Sequence, residues 1–175
     1  MSDLTELQRW RGVASVGWLG ALLVWETAEP CFAFFAGWRA RGLHALRNFV
    51  IGLVNVAVVV LCFAVAWQTV AGWAEAHRFG LLNLVTLPVW MRVVAAVLLL
   101  DVWTYWWHRI CHRVPLLWRF HRVHHGDAQM DATTANRFHL GEIVASSLLR
   151  LPLLPLLGIR FGELVLYETL LQVVV

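Results

Sequence analysis

The sequence contains no lysine: all fourteen of its basic residues are arginine, set against eleven aspartates and glutamates. Charged residues make up 14% of the 175-residue chain, where a soluble domain carries about 25%. The net charge of +3 is small and the arginines cluster at the flanks of apolar runs, which argues against a nucleic-acid-binding face. Cysteine is scarce as well. Cys31, Cys62 and Cys111 lie far apart, in or beside apolar runs, with neither a CxxC pair nor a disulfide framework. They read as small buried side chains. No small-residue cleavage site follows the polar start MSDLTELQRWR, so no removable signal peptide is expected. No internal repeat is visible, nor is any glycine-rich motif for a flavin or nicotinamide cofactor.

What is present is apolar: 60% hydrophobic residues, with eleven tryptophans. Runs of this length and composition predict an all-α integral membrane helical bundle, read as one membrane-embedded domain over residues 1–175. Membrane helices are expected at roughly 13–38, 48–73 and 85–107. Glu26, Glu29 and Pro30 interrupt the first; the glutamates suit an interfacial helix end, although a carboxylate inside a membrane is a functional candidate by default. The second has no charge at all, and Trp67 and Trp73 at its far end suit the membrane interface. Residues 39–47 form a basic connector and 74–83 a short polar link. The connector has three arginines and 108–137 has five, against one in the link. By the positive-inside bias, the connector and the histidine-rich region face the cytoplasm, as in a bacterial inner membrane. Beyond a polar loop at 126–137, Pro152, Pro155 and Gly158 divide the next apolar run into further membrane-associated helices at 140–157 and 162–175. The last of these stops without a cap or polar tail, which predicts a C-terminally truncated chain.

The chemistry concentrates in 108–142, where six of the eight histidines lie. His108 and His112 are four apart, and His121 stands three and four residues before His124 and His125; each set shares one helical face. Pro115 should end the first helix and let the second fold back beside it. Five imidazoles converging from two short helices suit a borderline transition metal such as iron or zinc. Five also exceed what one tetrahedral zinc needs, which favours two metals or one metal with ligands in reserve. Asp101, Tyr105, His108 and His112 form one stripe by steps of four, three and four. Asp101 there either orients a ligand imidazole or pairs with an arginine such as Arg92 or Arg109.

The run D-x3-Y-W-x-H-R-x2-H, then H-R-x-H-H, then T-T-x-x-R-x-H-x2-E resembles the sterol desaturase/fatty acid hydroxylase superfamily. It is carried by Asp101, Tyr105, Trp106, His108, Arg109 and His112; by His121, Arg122, His124 and His125; and by Thr133, Thr134, Arg137, His139 and Glu142. Gly126 and Leu140 depart from the serine and proline usual in that family. The resemblance implies a membrane-bound non-haem di-iron oxidoreductase that uses O2 and externally supplied electrons to hydroxylate or desaturate a lipid of sterol or fatty-acyl type. It implies His108, His112, His121, His124 and His125 as metal ligands, with His139 a further candidate and Asp101, Tyr105 and Glu142 as supporting residues behind the ligands. It also implies an electron donor of cytochrome b5, ferredoxin or reductase type, and a further histidine cluster downstream of a helix like 162–175. The rival readings are a non-catalytic metal-binding or haem-binding membrane protein and an inactive truncated fragment. Histidines packed within 18 residues at a membrane edge do not suit haem, which needs axial ligands facing each other across a bundle.

Overall fold

A computed structural model describes residues 38–128 and 132–174. The expected first span, with Glu26, Glu29 and Cys31, lies outside the described residues save for Trp38. The described residues form helices and turns, with no strand among them. Helix α1 (Trp38–Val58) passes through a wide π-helical turn (Val59–Phe63) into α2 (Ala64–Ala76). A 3-10 turn (Leu81–Asn83) leads to α3 (Val89–Arg113) and then α4 (Pro115–His125). A second 3-10 turn (Ala132–Asn136) precedes α5 (Leu140–Leu157) and α6 (Phe161–Val174).

Among the described residues, three helical stretches are long and apolar enough to cross a membrane: Gly42–Asn83, Val89–Arg113 and Leu140–Leu157. Their outward faces carry aliphatic side chains such as Leu53, Leu61, Val65, Val94 and Leu98, all exposed. Inside, α2 packs on α5, and α6 closes against α3 and α2. Phe63, Trp67, Leu100, Leu154, Ile159, Leu164 and Tyr167 fill the common core. Ala71, Ala74 and Ala96 are buried where the helices meet, and small residues of this kind let apolar helices approach closely.

Several details differ from the sequence expectation. The basic connector at 39–47 is not a loop but the opening turns of α1. Trp67 is not on the bundle surface: it is buried, and its indole N–H donates to the Ser147 carbonyl at 3.0 Å. Cys62 is exposed rather than buried. Pro152 and Pro155 lie within α5, so neither of them breaks the helix. The break falls at Gly158, whose φ of 71° is the left-handed conformation that ends helices and that glycine adopts without penalty.

Arg92 near the start of α3 ties the loops at one end of the bundle together. It donates to Glu163 Oε1 at 2.8 Å, to the Leu82 and Gly158 carbonyls at 2.6 and 2.7 Å, and to Asn83 Oδ1 at 3.0 Å. The second carboxylate oxygen of Glu163 accepts the Arg160 N–H at 2.8 Å. Arg92 therefore pairs with a residue 71 positions downstream, not with Asp101.

Candidate metal centre

Proline sets the turn between the two histidine helices. The residue before it is driven to extended backbone, and Val114 takes φ −91° and ψ 115°, ending α3. Pro115 itself occupies the first turn of α4, where its missing N–H costs nothing. The two helices pack against each other, and each i, i+4 histidine pair faces the other. His108 and His112 bring their Nε2 atoms to 3.0 Å, and His121 and His125 theirs to 3.1 Å. Across the pairs, the ring of His121 stands 4.5 Å from that of His108 and 4.8 Å from that of His112. One nitrogen from each of these four rings lies within 4.8 Å of the other three.

The spacing fits an ion. Two nitrogens each about 2.1 Å from one metal stand about 3.0 Å apart at a right angle and about 3.4 Å apart at the tetrahedral angle. At 3.0 and 3.1 Å, the two pairs are spaced as two donors to one ion would be.

His121 is the inner wall of the group and is fully buried. Its Nδ1 meets Glu142 Oε1 at 2.8 Å, and Glu142 is buried too. A proton on Nδ1, donated to that carboxylate, leaves the Nε2 lone pair facing the other histidines, which is how outer partners fix a ligand tautomer. Burial, and after it the crowd of other imidazoles, pushes His121 down to about 3. Burial also lowers His124 and His125, the first helped mainly by His125 and the second by His112. These rings therefore keep their lone pairs near neutrality, as ligation requires. His112 and His125 form the open side of the group, with Trp118 beneath both at 5.1 and 6.0 Å.

His124 lies apart from the four. Its ring is stacked on Phe138 at 4.4 Å and 8°, and its Nδ1 is buried with no hydrogen-bond partner. The structure does not bring His139 to the group either. Its Nδ1 accepts the Gly141 N–H at 2.9 Å, capping α5, and its ring stacks on Phe120 at 4.8 Å. Asp101 lies on an exposed face of α3. Both arginines weighed as its partner are engaged elsewhere: Arg92 with Glu163, and Arg109 with the Tyr105 hydroxyl at 2.7 Å. Tyr105 is itself exposed, so of the three supporting residues Glu142 is the one that meets a ligand imidazole.

Three participants were not anticipated. Trp118 shares the helical face of His121 and His125, a spacing that could have revealed it. Phe138 gave no signal, because its partner His124 is reached only through the intervening loop. Cys111 is buried behind the site, with its sulfur within 4.8 Å of donor atoms of His121 and Glu142.

The fatty acid hydroxylase family model matches residues 93–175, from within α3 through the histidine helices. No solved structure matches the chain. A domain of that family, together with the apolar helices and the histidine group, suggests a membrane-bound hydroxylase-type oxidase. Residues 93–175 thus match the fatty acid hydroxylase family, consistent with the sterol desaturase/fatty acid hydroxylase superfamily that the histidine motifs resemble.

Proposed function

We propose that the chain is a membrane-bound, non-haem iron oxidoreductase that uses O2 to hydroxylate or desaturate a lipid of sterol or fatty-acyl type. The observation that carries this reading is the set of four imidazoles whose donor nitrogens lie within 4.8 Å of one another. His108, His112, His121 and His125 would hold one iron, and His124 would contribute to a second. Bound iron would supply the oxidation of an unactivated C–H bond, chemistry beyond the reach of a redox-inert zinc ion.

The chain's own residues prepare that site. Glu142 holds His121 in the ligating tautomer, and Trp118 supports His112 and His125 from below. The open side at His112 and His125 gives access for O2 and substrate. The outward aliphatic faces of α1 and α3 present a surface along which an acyl or sterol chain reaches the site from the bilayer. Hydroxylation converts R–H, O2, two electrons and two protons into R–OH and water. The electrons would come from a donor of cytochrome b5, ferredoxin or reductase type, as the histidine motifs' resemblance implies. The arginine excess at 39–47 and 108–137 supports placing the histidines on the cytoplasmic side.

The test compares the membrane-reconstituted chain with its His121→Ala variant. Iron per chain is read by elemental mass spectrometry and oxidised lipid by mass spectrometry with a reductant supplied. The original chain should hold iron, and the variant should lose it to background together with any lipid product. Equal iron in both proteins would remove the four-histidine site from consideration.

A further inference from the structure

Helix α1 hides a polar face inside an apolar sequence. His44, Asn48, Gly52 and Asn55 recur at steps of four, four and three and so share one side of the helix. Asn48, Gly52 and Asn55 are buried, and what covers them is Asp127 together with residues 132–138 that follow the histidines. Asn48 Nδ2 donates to Thr133 Oγ1 at 3.0 Å and lies 3.4 Å from Asp127 Oδ2. Thr134 Oγ1 donates to that same Asp127 oxygen at 2.8 Å, and His44 Nε2 approaches it to 3.1 Å. Further along, Asn55 Nδ2 donates to the Phe138 carbonyl at 2.9 Å. Between these two anchors, Gly52 lets Asn136 lie directly on the helix, since a Cβ at 52 would fall 2.9 Å from Asn136 Cβ.

The docked segment is what orients His124. Its ring stacks on Phe138 at 4.4 Å and 8°. Phe138 belongs to the stretch that α1 holds down, through the bond from Asn55 to its carbonyl.

We propose that Asn48, Gly52 and Asn55 are positioning residues for the histidine site: they fix Asp127 and residues 132–138 on α1, and through Phe138 they set the direction of the His124 ring. This rests on the metal-site reading above, which treats His124 as a ligand. It adds that a helix outside the matched residues 93–175 shapes metal binding without contributing a donor atom.

Gly52→Ala separates positioning from folding. In a helix, alanine is favoured over glycine, so the variant alone should not loosen α1. Yet Asn136 Cβ sits next to the backbone and cannot rotate away, so the segment must shift. Fe(II) titration and chelator-driven Fe(II) release are measured on the full chain, alongside the Tm of the metal-free protein. Gly52→Ala should lower that Tm modestly, because the close Cβ contact is not relieved by a rotamer change, while Fe(II) affinity falls about ten-fold or more, the range seen when support behind a ligand is removed. Asn55→Asp, which keeps the shape but loses the NH2 donor, should weaken Fe(II) in the same direction. Adding Asn136→Gly to Gly52→Ala removes the clashing Cβ and should restore affinity. Variants that keep the original affinity, or that lose it only in step with Tm and without rescue, would overturn the proposal. An original chain that binds no Fe(II) would instead overturn the metal-site reading beneath it.

Discussion

Arg92 and His108 sit on the same helix, 16 residues and so about 24 Å apart at 1.5 Å per residue, and each is the centre of a cluster of polar groups. Around Arg92 the groups complement one another. The guanidinium donates to a carboxylate, two carbonyls and an amide oxygen, and both carboxylate oxygens of Glu163 accept hydrogen bonds. Around His108 they do not. Ring nitrogens of like kind face each other at 3.0 and 3.1 Å, with donor and acceptor set only by tautomer, and His124 Nδ1 and Glu142 Oε2 are buried without partners. A buried polar group normally finds a partner, so a closed network reads as a structural tie. A convergence of lone pairs reads as a site for a cation. The contrast can be broken from either end.

The largest effect should come from the closed centre. Arg92→Met leaves Glu163 buried without its cation and strips the donor from the Leu82 and Gly158 carbonyls. Removing one partner of a buried ion pair costs about 3–5 kcal/mol. Thermal or denaturant unfolding in detergent should show that loss, while Fe(II) affinity of the folded protein stays unchanged. Replacing both partners with leucine should restore much of the stability, because no charge is then left unpaired. If Arg92→Met abolished iron binding in protein that remained folded, the division between a structural end and a chemical end would not hold.

Acid should act at the histidine end. His121 is pushed down to about 3 when folded, whereas an unfolded chain protonates it near 6.5. Below pH 6.5 the unfolded state therefore takes up a proton that the folded state refuses, and stability falls as pH falls. Above 6.5 both states are neutral at this residue and its contribution does not change with pH. His121 alone gives a slope of about 1.4 kcal/mol per pH unit, roughly 2 kcal/mol by pH 5. Its partner Glu142 works against it. Burial pushes that carboxyl up to about 7, so below pH 7 the folded state takes up a proton there that the unfolded state does not. The two contributions nearly cancel down to pH 5. His124 and His125 shift the same way as His121, with the exposed His125 contributing least. They carry the net decline in stability that unfolding of the metal-free protein should show between pH 8 and 5. His121→Gln should flatten the decline. An unchanged acid slope in that variant would remove His121 from the pH response.

These two ends were not equally visible in the sequence. The histidine face could be read because its logic is local: steps of three and four on a helix, with a proline between the pairs. Helix breaks at 113–115 and 157–161 followed from Pro115 and Gly158 for the same reason. The Arg92–Glu163 tie was invisible because its partners are 71 residues apart, and the nearer Asp101 was the obvious but unused candidate. The polar face of α1 was missed for a different reason. Two asparagines and a glycine do not disturb a hydropathy average, and only the folded loop gives them partners.

His139 gives the smallest test and bears on where the histidine site stops. It belongs to the third motif by sequence, yet its Nδ1 accepts the Gly141 N–H in the manner of an N-cap and its ring lies on Phe120. A cap of this kind is worth about 1 kcal/mol. His139→Ala should therefore lower stability by about that amount and leave Fe(II) affinity intact. His139→Asn, which restores an acceptor at the cap, should recover most of the loss. A ligand would behave in the opposite way: asparagine could rescue the cap but not the iron. Loss of Fe(II) in His139→Asn at full stability would thus extend the metal site across the loop to the start of α5. Intact binding would confine it to the two histidine helices, with Glu142 as the one contribution from α5.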